Sequence, residues 1–280
     1  MARQALCVGI NRFKNFPRNR LRGCVNDVRD MAALLTDWFG FTRREIITLT
    51  DSDATKANII EHLTAMVRGA QAGKFDYLVF SFSSHGTQTP DVSGDEPDKY
   101  DEAFCPYDLA LSGDHWDPEH ILLDDELHDL FTQLPRHVLL EVYLDTCHSG
   151  TGLRAVDFLL ERQPRFMPLP SLRSFELIEG RESRGFYRSF GTKKTPHHIL
   201  WAGCRANQTS ADAEIEGKWH GAFTYFYCKN VRATQNKLTR AQLLRRVRAD
   251  LKAAHYTQTP QLECQATLRR ARVVSSASPI

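Results

Sequence analysis

Cys147 and His85 each stand just past the end of a short apolar run. Val138 to Leu144 is apolar except for Glu141 and closes in Asp145-Thr146-Cys147-His148-Ser149-Gly150. Tyr77-Leu78-Val79-Phe80-Ser81-Phe82 closes in Ser83-Ser84-His85-Gly86. Runs of this length, rich in β-branched and aromatic residues, read as buried strands. Open α/β sheets carry their sites just beyond the carboxyl ends of such strands. A thiol held there needs a base or a positive field to become a thiolate nucleophile. If the two strands are parallel neighbours, His85 and Cys147 project from one sheet edge as a Cys-His dyad. The plainer reading makes Cys147 a small core residue and His85 a turn residue.

The rest of the chain supplies the elements that must hold such a pair. Ala5 to Ile10 reads as a first buried strand. Val28, Met31, Leu34, Leu35 and Trp38 recur at helical spacing, and Gly40 is a suitable stop. Ile46 to Leu49 is a short strand. Asp53 or Thr55 caps a helix whose inner face is Ile59, Ile60, Leu63, Met66 and Val67. Asp124-Asp125-Glu126 open a helix that runs to Leu134. His198 to Ala202 is a further strand, and Ala222 to Cys228 an aromatic buried helix. Thr239-Arg240-Ala241-Gln242 is a capping box. Arg240, Arg245, Arg246, Arg248 and Lys252 are read as its solvated basic face, and Val273-Val274 as a final strand of the sheet. The alternation of strand and helix predicts an α/β fold: a mixed, mostly parallel sheet with helices on both faces.

Composition bounds the function. Over 280 residues, 42% are hydrophobic and 25% charged, ordinary values for a chain with a sizeable core. One domain over 1–280 is expected, with a long loop at about 154–196. The net charge of +2 demands no nucleic acid or acidic surface. No apolar run is long enough for a membrane span. The 7 cysteines are scattered, with no CxxC pair, which fits reduced thiols in a cytoplasmic protein. A monomer with no required cofactor is expected. Asp91, Asp95, Glu96, Asp98, Asp101 and Glu102 crowd one stretch, readable as a solvated acidic loop or as oxygen ligands for a hard cation.

With these residues in view, the chain resembles the caspase-like cysteine peptidases, and most closely the metacaspases. Ser81–Gln88 (SFSSHGTQ) is similar to the family's histidine motif and Tyr143–Gly150 (YLDTCHSG) to its nucleophile motif. Gly23–Asp27, Ser93–Glu96 with Tyr100–Glu102, Leu123–Glu126 and Ala202–Ala211 resemble further family segments in the same order. The resemblance implies a caspase-like three-layer sandwich and a cysteine endopeptidase acting on peptide or protein substrates through a thioester acyl-enzyme. By that resemblance Cys147 is the nucleophile and His85 the acid–base partner. The N–H groups of Gly86 and Cys147 are the oxyanion donors, and Cys24, Asp27, Ser83 and Asp145 form a pocket for Arg or Lys before the scissile bond. Two carboxylates facing one cavity suit a guanidinium or ammonium. His148 is read as structural.

The resemblance also implies a calcium site at Asp101, Asp124 and Asp125. Its expected fourth ligand falls on Arg154, with Asp157 three residues later as a substitute. A catalytically silent binding scaffold is the alternative from another class, and transpeptidation through the same acyl-enzyme is a third reading. The stretch from Arg154 to Pro196 is broken by Pro164, Pro168 and Pro170. It carries Arg162, Arg165, Arg173, Arg181, Arg184, Arg188, Lys193 and Lys194. An enzyme that cuts after basic residues is expected to cleave this loop or to hold it in the cleft while uncut. The plainer alternative is a basic surface loop.

Overall fold

The computed structural model describes residues 1–90, 100–148, 162–171 and 195–274. In chain order the strands are β1 (Arg3–Gly9), β2 (Ile46–Thr50), β3 (Tyr77–Ser83), β4 (Gly86–Pro90), β5 (Tyr100–Phe104), β6 (Leu111–Ser112), β7 (His115–Trp116), β8 (Leu122–Leu123), β9 (Leu139–Asp145), β10 (Gln163–Pro164), β11 (His198–Ala202), β12 (Ala211–Ile215), β13 (Lys218–Gly221) and β14 (Gln261–Glu263). The main helices are α1 (Cys24–Trp38), α2 (Lys56–Gln71), α3 (Asp124–Thr132), α4 (Ala222–Thr234), α5 (Arg240–Ala253) and α6 (Ala266–Arg270).

The central sheet has six strands in the order β14-β11-β9-β3-β1-β2. All its pairings are parallel except β11 with β14. Parallel strands buried on both faces read as near-continuous apolar runs, and β3 and β9 are buried at every position. Alternate residues serve opposite faces. Leu78, Phe80, Phe82, Leu140, Val142 and Leu144 pack with α2 and α3. Tyr77, Val79, Leu139, Tyr143, Ile199 and Trp201 pack with α1, α4 and α5. The fold is the expected caspase-like α/β sandwich.

Glu141 interrupts the apolar run because it is the centre of a buried polar network. It accepts from Tyr77 Oη (2.9 Å), Trp201 Nε1 (2.8 Å), and Arg240 Nε and Nη2 (2.9 Å each). Arg240 is therefore a core residue, 1% exposed, and not part of the solvated basic face. Its desolvation is offset by the facing carboxylate, so a helical wheel alone misplaces it. Val273-Val274 is buried but adds no strand to the sheet; the edge is β14 instead. Thr55, not Asp53, caps α2, its side chain accepting from Asn58 N. The Thr239 capping box of α5 is present as expected.

Besides the two-stranded β6–β7 pair, the described residues form two three-stranded antiparallel sheets beside the main one. β4, β5 and β8 form one; β10, β12 and β13 form the other. The second draws Gln163-Pro164 onto β12 at the sheet's carboxyl edge.

Candidate active site

Parallel pairing of β3 with β9 sets Ser83 opposite Asp145. Carried on along both chains, the same register brings His85 level with Cys147 at the carboxyl edge. Both are buried. The His85 ring stacks on Phe13, centroids 5.2 Å apart, and its Nε2 lies 2.7 Å from the Asn19 carbonyl oxygen. A carbonyl only accepts, so this partner assigns the proton to Nε2 and leaves Nδ1 as the acceptor. Burial pushes the imidazole down to about 4, opposed by the Asn19 carbonyl, and it is neutral at pH 7. Among the described residues no hydrogen bond joins His85 to Cys147. The thiol rests on Ser210 instead, with Sγ 2.6 Å from Ser210 N and 3.3 Å from Ser210 O.

The space in front of this pair holds a residue of the chain itself. Arg165 O accepts from Gly86 N (3.0 Å) and from Cys147 N (3.2 Å). Its guanidinium enters a buried pocket of three carboxylates. Nη2 donates to Asp27 Oδ2 (2.7 Å) and Asp212 Oδ1 (2.9 Å). Nη1 donates to the Asp145 carbonyl at 3.1 Å and lies 3.5 Å from its Oδ2. Arg165 is 0% exposed, which such a cation tolerates only when paired and hydrogen-bonded. Flanking residues run along the cleft as strand. Gln163 and Pro164 pair with Asp212 and Ala211, Arg165 N donates to Ser210 O (3.0 Å), and Met167 N to Gly86 O (2.8 Å).

Each carboxylate is held by main chain at the start of a helix. Asp27 accepts from Gly221 N, the residue before α4, and Asp145 accepts from Thr224 N and Oγ1. Asp212 accepts from Arg22 N and from Gly23 N, the residue before α1. Helix N-termini lack partners for their first amides, so these contacts satisfy donors and fix the pocket together. Even so, burial raises the Asp27 carboxyl to about 7, Arg165 opposing and Asp145 adding. A Cβ on Gly221 would fall on the Asp145 carboxylate and the Arg165 guanidinium, so glycine leaves the room that the cation occupies.

Of the expected pocket residues, Asp27 and Asp145 thus meet at one guanidinium. Cys24 is buried beside Arg165, which opposes the large upward push of burial on its thiol. Ser83 is buried opposite Asp145 in register. Asp212 went unread in the sequence. It stands one residue beyond the Ala202–Ala211 segment, and a strand acid carries no mark of its destination. The Asn19 carbonyl and the Ser210 backbone are likewise invisible in side-chain chemistry. His148 is structural in its surroundings: Nδ1 is 3.3 Å from Thr87 O, and the ring meets Phe104 edge-on at 4.9 Å between centroids.

Asp101 lies on β5, and Asp124 and Asp125 begin α3 directly after β8, which pairs with β5. Among the described residues no three of His, Cys, Asp and Glu converge as a metal-holding group. Asp91, Asp95, Glu96, Asp98, Arg154 and Asp157 lie outside the described residues. All seven cysteines are free thiols, and no described helix is long and apolar enough to cross a membrane.

Known proteins share both sequence and shape with this chain. Residues 3–156 match the family model described as "Metacaspase, peptidase C14 domain". A Metacaspase-1A of Aspergillus niger is 34% identical over 94% of this chain and 70% of its own length. A Metacaspase-1 of Coccidioides immitis is 34% identical over 94% of this chain and 61% of its own. A solved structure from Geobacter sulfurreducens superposes with a TM-score of 0.68 at 25% identity, covering 99% of this chain and 100% of its own. Caspase-1 from Spodoptera frugiperda has a TM-score of 0.61 at 12% identity over 97% of this chain and 90% of its own, a likeness of fold. The ordered motifs, the six-stranded sheet and these matches agree: the chain belongs to the metacaspase family of C14 cysteine peptidases.

Proposed function

We propose that this metacaspase is an endopeptidase that cuts after Arg, and less readily after Lys, using Cys147 and His85. We also propose that Arg162–Met167 lies in its cleft as a substrate would. The observation that carries the reading is Arg165. Its carbonyl oxygen takes the N–H groups of both Gly86 and Cys147, while its guanidinium fills the three-carboxylate pocket.

The chemistry follows from that pose. The thiol leaves Ser210 and loses its proton to His85 Nδ1. The thiolate then adds to the carbonyl carbon, forming a C–S bond. Negative charge collects on the carbonyl oxygen, where the two fixed N–H donors stabilise it. Collapse breaks the C–N bond, and the leaving amine takes the proton from His85. Water activated by the neutral imidazole then hydrolyses the thioester and restores the thiol. The Asn19 carbonyl holds the ring in the required tautomer.

The pocket favours Arg because two nitrogens of one planar fork reach different carboxylates. A lysine ammonium is a single point and cannot span Asp27, Asp212 and the Asp145 carbonyl with the same geometry. In the uncut chain the bond in line for attack is Arg165–Phe166, so the segment is both latch and first substrate.

The test compares parent protein with Cys147→Ala and with Arg165→Ala, mapping termini by mass spectrometry. A cut after Arg165 in the parent, absent from both variants, supports the reading. Turnover is then measured on peptides with Arg, Lys, Asp or Asn before the bond, with calcium and with chelator. An Asp peptide cut best, or unimpaired turnover by Cys147→Ala, sinks it. Failure of Cys147 to react with an Arg-containing thiol-reactive probe, together with absent turnover, would favour a silent scaffold.

A further inference from the structure

We propose that the carboxyl end of α5, with Tyr256, is a second arginine subsite, reading the side chain three residues before the one in the carboxylate pocket. This rests on the placement of Arg165 as the residue before the scissile bond. Arg162 is its upstream neighbour in that frame. The Arg162 guanidinium donates from Nη1 to His255 O at 2.6 Å and from Nη2 to Ala254 O at 2.9 Å. Its central carbon lies 3.7 Å from the centroid of the Tyr256 ring. The residues between them, Gln163 and Pro164, are paired to β12, so the spacing of the two arginines is set by strand geometry.

The receiving groups are a product of how α5 ends. His255 takes the left-handed conformation, with φ 59°. Tyr256 N then bonds back to Leu251 O (2.9 Å) and His255 N to Lys252 O (3.0 Å), the double closure of a Schellman turn. That closure leaves the Ala254 and His255 carbonyls without helical partners, at the negative end of the helix dipole. A planar, permanently charged fork with separate N–H donors matches two such carbonyls, and its face matches the tyrosine ring. A lysine would supply the charge but neither the fork nor the stacked plane. Two carbonyls and an aromatic ring make these contacts, a chemistry unlike that of the Asp27–Asp145–Asp212 pocket. The preferred substrate therefore carries Arg at both positions, separated by two residues that follow the β12 edge.

Four peptides test this: Arg-Gln-Pro-Arg, Ala-Gln-Pro-Arg, Arg-Gln-Pro-Ala and Ala-Gln-Pro-Ala, each followed by the same leaving segment. Fully processed parent enzyme is assayed for kcat/KM. Separately, fluorescein-labelled peptides are titrated into the Cys147→Ala, Arg165→Ala protein, whose own segment has lost its deep anchor. Replacing the first Arg by Ala is expected to weaken binding and kcat/KM about tenfold, as for a stacked guanidinium with two charged hydrogen bonds. Lys at that position should recover less than half of the loss on a logarithmic scale. Tyr256→Ala should shrink the ratio between the first two peptides to about twofold, the stacking contribution being gone. Because the peptides vary while the protein does not, the main comparison is independent of any variant's stability. Equal affinity and rate for Arg and Ala at the first position would overturn the proposal. Insensitivity to the last residue, with the first-position effect intact, would overturn only the reading of the carboxylate pocket.

Discussion

Asp212→Asn is the sharpest probe of the pocket, because this residue was absent from the sequence reading and joins it only through the fold. The substitution removes a negative charge 2.9 Å from Arg165 Nη2, while keeping an oxygen that can accept from Gly23 N. Asp27 and Asp145 remain, so the guanidinium is not abandoned. The loss is that of one charge-assisted hydrogen bond, about 1.5–3 kcal/mol. That corresponds to roughly 10- to 150-fold in kcat/KM. The assay uses processed enzyme, with active sites counted by a thiol-reactive Arg peptide. It compares substrates ending in Arg and in Ala before the bond. The Arg substrate should lose the predicted factor and the Ala substrate little. Denaturant unfolding of both proteins separates this from a general loss of fold, since the Arg22 and Gly23 amides also lean on Asp212. A loss below about threefold on the Arg substrate, against that predicted range, would refute Asp212 as a pocket carboxylate.

pH acts on the same pocket through Asp27, whose carboxyl is raised to about 7. Its charged form attracts the guanidinium, so KM for Arg substrates should fall as pH rises through about 7, and Asp27→Asn should flatten that profile. The sign for stability is the reverse. The folded state holds a proton that the unfolded chain, at the ordinary carboxyl value of 3.8, gives up, so Asp27 stabilises less as pH climbs between those values. Urea unfolding at several pH values reads this slope, which should also vanish in Asp27→Asn. Gly221→Ala keeps an ordinary backbone, φ −68°, but places a methyl group on the pocket. Overpacking of about 1–3 kcal/mol should cost roughly 5- to 150-fold in kcat/KM on Arg peptides, and an undiminished rate would mean that the pocket lies elsewhere. Glu141→Gln breaks the buried pair with Arg240 and should lower unfolding stability by about 3–5 kcal/mol, measured by denaturant titration.

Strand identity was legible because it is local. Val138–Leu144 and Tyr77–Phe82 announce buried strands by composition, and each hands its polar residues to the edge where a parallel sheet exposes them. Motif resemblance led to the expectation that Asp27 and Asp145 face one cation, and both lie at the Arg165 guanidinium. The proline-broken, arginine-rich stretch after Cys147 was also visible, and with it the expectation that a basic-directed enzyme would meet its own chain.

Other features were decided only in three dimensions. The entry of Arg165 into the carboxylate pocket depends on the β10–β12 pairing, a contact across almost fifty residues that no periodicity encodes. Asp212 becomes a pocket residue because β12 lies beside that segment, and Arg240 a core residue because Glu141 of β9 meets it where α5 packs on the sheet. The Ala254 and His255 carbonyls are backbone atoms and have no letter in the sequence. Local pattern specifies elements, since burial periodicity is written in side chains. Tertiary packing alone assigns the partners of buried charge, because a charge inside the fold is stable only where distant residues or main-chain ends converge on it.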